Sequence, residues 1–176
     1  MPRLPFLRRA LSPDEYARLV AGTLAEIAPV SELLRRRGIA LGRVEQGRAH
    51  SVEIEAVSAH LVELRGASKR VAGARAPPGM RTVHRQLRRL LDSYRTLLRE
   101  YEEAGRAIDA ADVEAYRRHN ELGRAADARA CEALRELIAL LDGRQAAAGV
   151  PEPLRRIAEK AETYRKLTGG AFAFWE

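Results

Sequence analysis

The sequence has few aromatic residues and only one cysteine, Cys131. Aromatic side chains make up 5% of the 176 residues, and no segment shows the sustained period-two alternation of a β-strand. A β-sandwich is therefore disfavoured, because its strands are rich in β-branched and aromatic residues. A single cysteine excludes an intramolecular disulfide and is typical of a reducing compartment, so we expect a cytoplasmic protein.

Long apolar runs and catalytic motifs are also missing. No stretch approaches the roughly 20 apolar residues of a transmembrane helix, and the arginine-containing start has no apolar run of signal-peptide length. Phosphate-binding loops, dinucleotide-binding turns, H-E-x-x-H, C-x-x-C and the Glu-x-x-His spacing of di-iron bundles are all absent from the sequence. We therefore predict no catalytic residues, no metal and no cofactor, and the sequence disfavours an enzyme.

What the sequence does contain is helical periodicity. Apolar residues recur at alternating spacings of four and three, most regularly from Val83 to Ile108. We predict one all-α domain over 1–176, an antiparallel up-down-up-down four-helix bundle with an appended C-terminal fifth helix and an aromatic tail. The predicted helices cover 12–37 (kinked at Pro29), 43–74, 80–108, 112–143 and 152–168, and the tail covers 169–176.

Several residues mark where these helices start and stop. Ser12 and Glu15 form a capping box at the start of the first helix, and Gly38 is predicted to end it. Asp109 or Asp112 can cap the fourth helix after a tight turn. Folding the chain about that turn sets large residues of the third helix against small residues of the fourth, which predicts close packing between them.

Polar residues are predicted to gather near one end of the bundle. Reflecting the helices about their connections places His119 near Glu102 and His50 near the level of Ala104. One interpretation is that these polar positions only fix the register of the core or face solvent. The other is that a kink at Pro29 opens a small pocket for a metal or ligand. The residues of this predicted layer are His50, Glu53, Tyr101, His119 and Asn120.

The chain is strongly basic, with a formal net charge of +7 and an isoelectric point near 10.1. This balance places nucleic acid among the candidate partners. The alternative is that the cations form ordinary solvated helix faces, since no aromatic residues are interleaved with them for base stacking. The basic residues singled out are Arg35, Arg36, Arg37, Lys69, Arg70, Arg85, Arg88 and Arg89.

The last eight residues, GGAFAFWE, hold the only tryptophan and two of the three phenylalanines. Phe172, Phe174 and Trp175 follow two glycines and offer a large apolar area that water disfavours. We expect this tail either to fold back over its own bundle or to dock on another chain as an anchor.

These observations favour a non-enzymatic protein-interaction or assembly module with an aromatic C-terminal anchor. A protein partner or a second copy of the chain is the expected partner. One alternative is a nucleic-acid-associated basic helical protein. A second alternative is a helical bundle that binds a metal or a small ligand.

Overall fold

Helices account for nearly all of the described chain. The structure, a computed structural model, describes the backbone of residues 10–41, 50–144 and 149–168 and the side chains of residues 10–31, 57–144, 149–160 and 162–163. These residues contain five helices and no strand, which confirms the all-α prediction. No described helix is long and apolar enough to cross a bilayer. The helices are α1 (Pro13–Leu41), α2 (His50–Gly73), α3 (Arg81–Asp109), α4 (Val113–Asp142) and α5 (Glu152–Thr168).

The first helix begins at its capping box and runs further than the sequence predicts. The backbone N–H of Ser12 donates to Oε2 of Glu15 at 2.7 Å, and the N–H of Glu15 donates to Oγ of Ser12 at 3.2 Å. The helix is continuous through Pro29 and ends at Leu41, not at residue 37. A glycine such as Gly38 costs a helix only about 1 kcal/mol relative to alanine, which is too little to end it.

The most extensive helix–helix interface joins α3 and α4. Leu90 of α3 and Leu134 of α4 are both fully buried, as their places in apolar stripes predict. Ala130 of α4 is also fully buried, and all three belong to one hydrophobic cluster. At the edge of this interface the side-chain amide of Gln86 donates to the carboxylate of Glu136.

The turn between α3 and α4 is held by hydrogen bonds on both sides. The N–H of Asp112 donates to the carbonyl of Ala107 at 2.8 Å and that of Ala111 to Ile108 at 2.9 Å, the paired pattern of a Schellman motif. Asp112 then caps α4 by accepting from the N–H of Ala115 at 2.9 Å. Ala111 has φ 55°, in the left-handed region that favours glycine.

The fifth helix contributes to the main core. Leu154, near its start, is fully buried in the same hydrophobic cluster as the leucines of α3 and α4. Arg135 of α4 pairs with Glu162 at 3.4 Å and Asp142 with Arg155 at 3.7 Å, so α4 and α5 run antiparallel. Among the described residues α1 contacts α5 more extensively than it contacts α4. The helix predicted as an appendage therefore lies between α4 and α1.

Replacing Ala111 by glycine should stabilise the protein. A non-glycine residue in the left-handed region costs roughly 1–2 kcal/mol, and glycine removes this cost. The stabilisation exceeds the entropic penalty that arises because glycine makes the unfolded chain more flexible. We expect the free energy of unfolding to rise by about 0.5–1 kcal/mol in urea titrations. The control is Ala110→Gly, because Ala110 has φ −83° and gains nothing from glycine. Equal destabilisation of both variants would show that the turn is not strained.

Candidate functional site

A buried hydrogen-bonded contact between Glu100 and His119 links α3 to α4 in the region of the predicted polar layer. Nδ1 of His119 lies 2.8 Å from Oε2 of Glu100, whose side chain is only 8% exposed. The other carboxylate oxygen of Glu100, Oε1, accepts from Nη2 of Arg99 at 3.1 Å and from Nε of Arg99 at 3.3 Å. Both oxygens of a nearly buried carboxylate are therefore hydrogen-bonded, as burial of a charge requires.

The pKa of Glu100 lies below its ordinary value. Burial by itself raises the pKa, because it disfavours the charged carboxylate. The hydrogen bonds from His119 and Arg99, together with the positive charges of these residues, outweigh that effect. The carboxylate is consequently ionised at neutral pH, and the contact with His119 becomes an ion pair whenever the ring is protonated.

Gly123 of α4 packs against α3 beside this pair. A Cβ placed on Gly123 would lie 3.8 Å from Cβ of Glu100 and 3.8 Å from Cδ1 of Leu97, so the helix surfaces already meet there. Gly123 lies one turn after His119 on α4, on the buried side of the helix. The His119 ring is thereby held against the α3 carboxylate by the packing of both helices.

The other members of the predicted layer are arranged differently. Glu102, near whose level the sequence places His119, accepts from the hydroxyl of Ser58 on α2 at 2.9 Å and from Arg106 at 2.8 Å. Tyr101 is half-buried against the core, and Asn120 is half-buried beside His119. The side chains of the two α2 members, His50 and Glu53, lie outside the described residues.

The Glu100–His119 contact lies between two helices and is largely closed to solutes. Within the described part of the chain no group of three or more His, Cys, Asp or Glu side chains could hold a metal. The His119 side chain is 19% exposed and Glu100 less, so a solute has little access to the contact between them. A buried, hydrogen-bonded pair of this kind sets the register of two helices.

Sequence reasoning misses two polar contacts between α1 and α3. Oγ of Ser31 lies 2.6 Å from the hydroxyl of Tyr94, and the hydroxyl of Tyr16 lies 3.1 Å from Nδ1 of His84. Both tyrosines occupy apolar-stripe positions, and their rings are buried as that stripe predicts. The missed signal is that a buried tyrosine hydroxyl requires a partner, which the facing helix must supply.

The Tyr16–His84 pair is neutral at physiological pH. Burial raises the pKa of the Tyr16 phenol above its ordinary value. Burial also lowers the pKa of His84, and the charge of Arg88 lowers it further. The Tyr16 hydroxyl and Nδ1 of His84 share one hydrogen bond, in which the imidazole tautomer decides the donor. Tyr16 is fully buried, so this contact positions α1 on α3 and is closed to solutes.

An apolar cavity of about 250 Å³ lies at the opposite end of the molecule from Glu100 and His119. The exposed Arg18 is the one charged side chain of its lining, which holds no carboxylate, imidazole or thiol. Such walls suit apolar groups and supply no acid–base chemistry. The other lining residues are Ala17, Val20, Ala21, Leu24, Met80, Leu141, Gly149 and Val150.

The basic residues singled out in the sequence fall into two classes. Arg70 is paired with Glu26 of α1, and Arg89 lies 3.6 Å from Glu136 of α4. Lys69, Arg85 and Arg88 are exposed and have no salt bridge to any described residue. The side chains of Arg35, Arg36 and Arg37, and the tail with Phe172, Phe174 and Trp175, lie outside the described residues.

Replacing Glu100 by glutamine should destabilise the protein in a pH-dependent way. At pH 7 the variant loses hydrogen bonds to charged groups, at a cost of about 1–3 kcal/mol in the free energy of unfolding. Because the folded-state pKa of Glu100 is depressed, its stabilisation is present above the ordinary value near 4.5 and is lost as the pH falls below it. The free energies of unfolding of the wild type and the variant, measured by urea titration, should therefore converge in acid.

The matched control for this prediction is Glu103→Gln. Glu103 pairs with Arg106 at 2.7 Å on the surface, where such pairs contribute about 0–1 kcal/mol. A Glu100→Gln effect as small as that of the control, or one that stays constant down to acid pH, would show that the buried carboxylate does not stabilise the helix pair.

Comparison with known proteins adds no relative to this picture. No protein-family description, no curated protein and no solved structure matches the chain. The surfaces and contacts of the chain itself are therefore the evidence for its function.

Proposed function

We propose that this chain is a non-enzymatic helical module that assembles with a protein partner or with a second copy of itself. The observation that supports the proposal is a pair of exposed apolar side chains, Val62 of α2 at 65% exposure and Leu122 of α4 at 47%. Large apolar residues that share one region of a surface mark an interaction site, whereas scattered ones do not.

The levels of Val62 and Leu122 follow from the contacts that α2 and α4 make with α3. On α2, Val62 lies four residues after Ser58, which is hydrogen-bonded to Glu102. On α4, Leu122 lies three residues after His119, which is hydrogen-bonded to Glu100. With α2 and α4 both antiparallel to α3, both side chains come level with about residues 97–98 of α3, one on each side of that helix.

Arg99 lies between these two side chains on the outward side of α3. Its side chain is 64% exposed although its guanidinium bonds Glu100. The docking patch is therefore Val62, Arg99 and Leu122. Arginine is enriched where protein interfaces concentrate their binding energy, because the guanidinium both packs and donates hydrogen bonds, and Val62 and Leu122 add apolar area beside it.

The proposal includes the order and direction of the helices. We take α1 to α4 as an up-down-up-down bundle, which the short α2–α3 and α3–α4 connections support. The tail that follows α5 is then a second attachment point, with Trp175 as its anchor residue.

A cytoplasmic setting fits the single buried cysteine. Of the two alternatives, a metal-binding bundle has less support, because the described residues offer no ligand cluster.

Charges placed in the docking patch should abolish assembly. In the double variant Val62→Asp/Leu122→Asp a partner would have to bury two unpaired carboxylates, which is strongly unfavourable. We expect sedimentation velocity of the full chain to show dissociation to monomers. If the partner is another protein, in-cell cross-linking should lose its cross-links to α2 and α4.

The matched control is Val113→Asp. Val113 is 58% exposed at the start of α4, nine residues before Leu122 and so on a different side of the helix. We expect this variant to assemble like the wild type. A wild-type protein that stays monomeric and forms no cross-link through α2 or α4 would contradict the proposal, as would equal losses in both variants.

Truncation after Gly170 separates two roles of the aromatic tail. If the tail is an anchor, we expect the truncated chain to melt at the wild-type temperature while its assembly weakens, because Phe172, Phe174 and Trp175 would contact another chain. Loss of thermal stability in a protein that assembles normally would instead show that the tail covers its own bundle. Circular dichroism and sedimentation on the same samples distinguish these outcomes.

A further inference from the structure

A line of arginines follows the outward side of α3 over its first half. Arg81, Arg85 and Arg88 are separated by four and three residues, so they share one side of the helix, and all three are exposed. The same line continues through Asp92 to Arg95, which lie 3.7 Å apart as an ion pair. The opposite side of α3 carries the buried leucines, so the arginine line points directly away from the core.

Two further cations come from the neighbouring edge of α2. Arg65 and Lys69 are exposed and lie seven and eleven residues after Ser58, which puts all three within about 40° around the helix axis. Ser58 donates to Glu102 of α3, so this edge of α2 faces α3. Arg65 and Lys69 therefore flank the arginine line.

These five cations differ from their neighbours because they have no acidic partner among the described residues. Basic residues beside them in the sequence do pair across helices, Arg70 with Glu26 and Arg89 with Glu136. The start of α3 adds to the positive field, since its first turn has no acidic residue and Met80 provides no side-chain cap. The basic face comprises Arg65, Lys69, Arg81, Arg85 and Arg88.

We propose that the basic face binds the phosphate backbone of double-stranded nucleic acid without reading its sequence. Five unpaired cations complement a polyanion, and their binding would release counterions from it. From Arg81 to the level of Arg95 the face is about 21 Å long at 1.5 Å per residue, enough for roughly six base pairs at 3.4 Å each. This proposal stands on charge and does not depend on the docking patch.

The composition of the face favours a duplex over other anionic partners. Single-strand binders stack bases on aromatic side chains, whereas the aromatic side chains of α3, Tyr94 and Tyr101, lie on its buried side. Peripheral membrane binding combines basic residues with an apolar face that enters the lipid, whereas the outward side of α3 from Arg81 to Arg95 carries only charged side chains. Contacts limited to phosphates position a protein on a duplex but carry no sequence information.

The test is fluorescence anisotropy of the full chain with a labelled random-sequence DNA duplex of roughly 20 base pairs, at salt concentrations from about 50 to 200 mM. We expect Arg85→Gln/Arg88→Gln to weaken binding at least about tenfold at the low-salt end. The slope of log K against log salt should become shallower by about two, one for each lost phosphate contact.

The matched control is Arg117→Gln/Arg124→Gln, which removes the same charge from α4. Arg117 and Arg124 are exposed and lie on the same side of α4 as Arg135, which pairs with Glu162 of α5, so they face away from the basic face. We expect the control to retain binding within about twofold, since it keeps all the phosphate contacts. Circular dichroism checks the folding of both variants, and the single change Arg85→Gln replaces the double variant if that one melts early.

Several outcomes would overturn the proposal. One is the absence of salt-dependent duplex binding, and another is an equal loss in the control and the test variant, which would make the attraction a property of net charge alone. Tighter binding to a single strand of the same length would show that the basic face binds a different ligand. So would binding to phosphatidylserine vesicles that is stronger than to the duplex and lost in the same variant.

Discussion

The close packing of α3 against α4 is the contact on which the other helices depend. Gly123 of α4 lies against Leu97 of α3, and Ala130 is buried in the core that the two helices share. Close approach of two long helices buries their apolar stripes together and leaves the outer flanks of the pair for neighbours. The outward half of α3 is consequently left to solvent and to charge.

Polar contacts then decide how the helices are aligned along their axes. Apolar side chains tolerate a sliding of one helix past another better than hydrogen bonds do, because a buried polar atom that loses its partner costs about 1–3 kcal/mol. Glu100 with His119 fixes α4 on α3, and Ser31 with Tyr94 fixes α1 on α3. Two helices are thus aligned on the same one, α3.

Periodicity predicts the helices well because each apolar stripe is a local property of its own segment. The contacts between helices are harder to predict from the sequence, as the two carboxylates of Glu100 and Glu102 illustrate. Reflecting the chain about a turn gives the level of His119 to within about two residues, but residues two apart point to nearly opposite sides of a helix. One carboxylate therefore meets α4 and the other meets Ser58 of α2.

The same limit applies to the basic residues. Lys69 and Arg70 are neighbours in the sequence, yet only Arg70 finds a carboxylate, Glu26, on the adjacent helix. Consecutive residues lie about 100° apart around a helix, so a basic cluster in the sequence is divided between surfaces when the helix packs. Which members remain unpaired depends on the neighbouring helices, and that information is not local.

The position of α5 between α4 and α1 has a consequence for the order of folding. Leu154 and Ile157 fill the space beside two helices that are made earlier in the chain, so the core cannot close until synthesis has passed these residues. A nascent chain that carries only α1 to α4 holds an apolar flank open to water. Chaperone binding or premature aggregation would therefore concentrate in the interval before the fifth helix emerges from the ribosome.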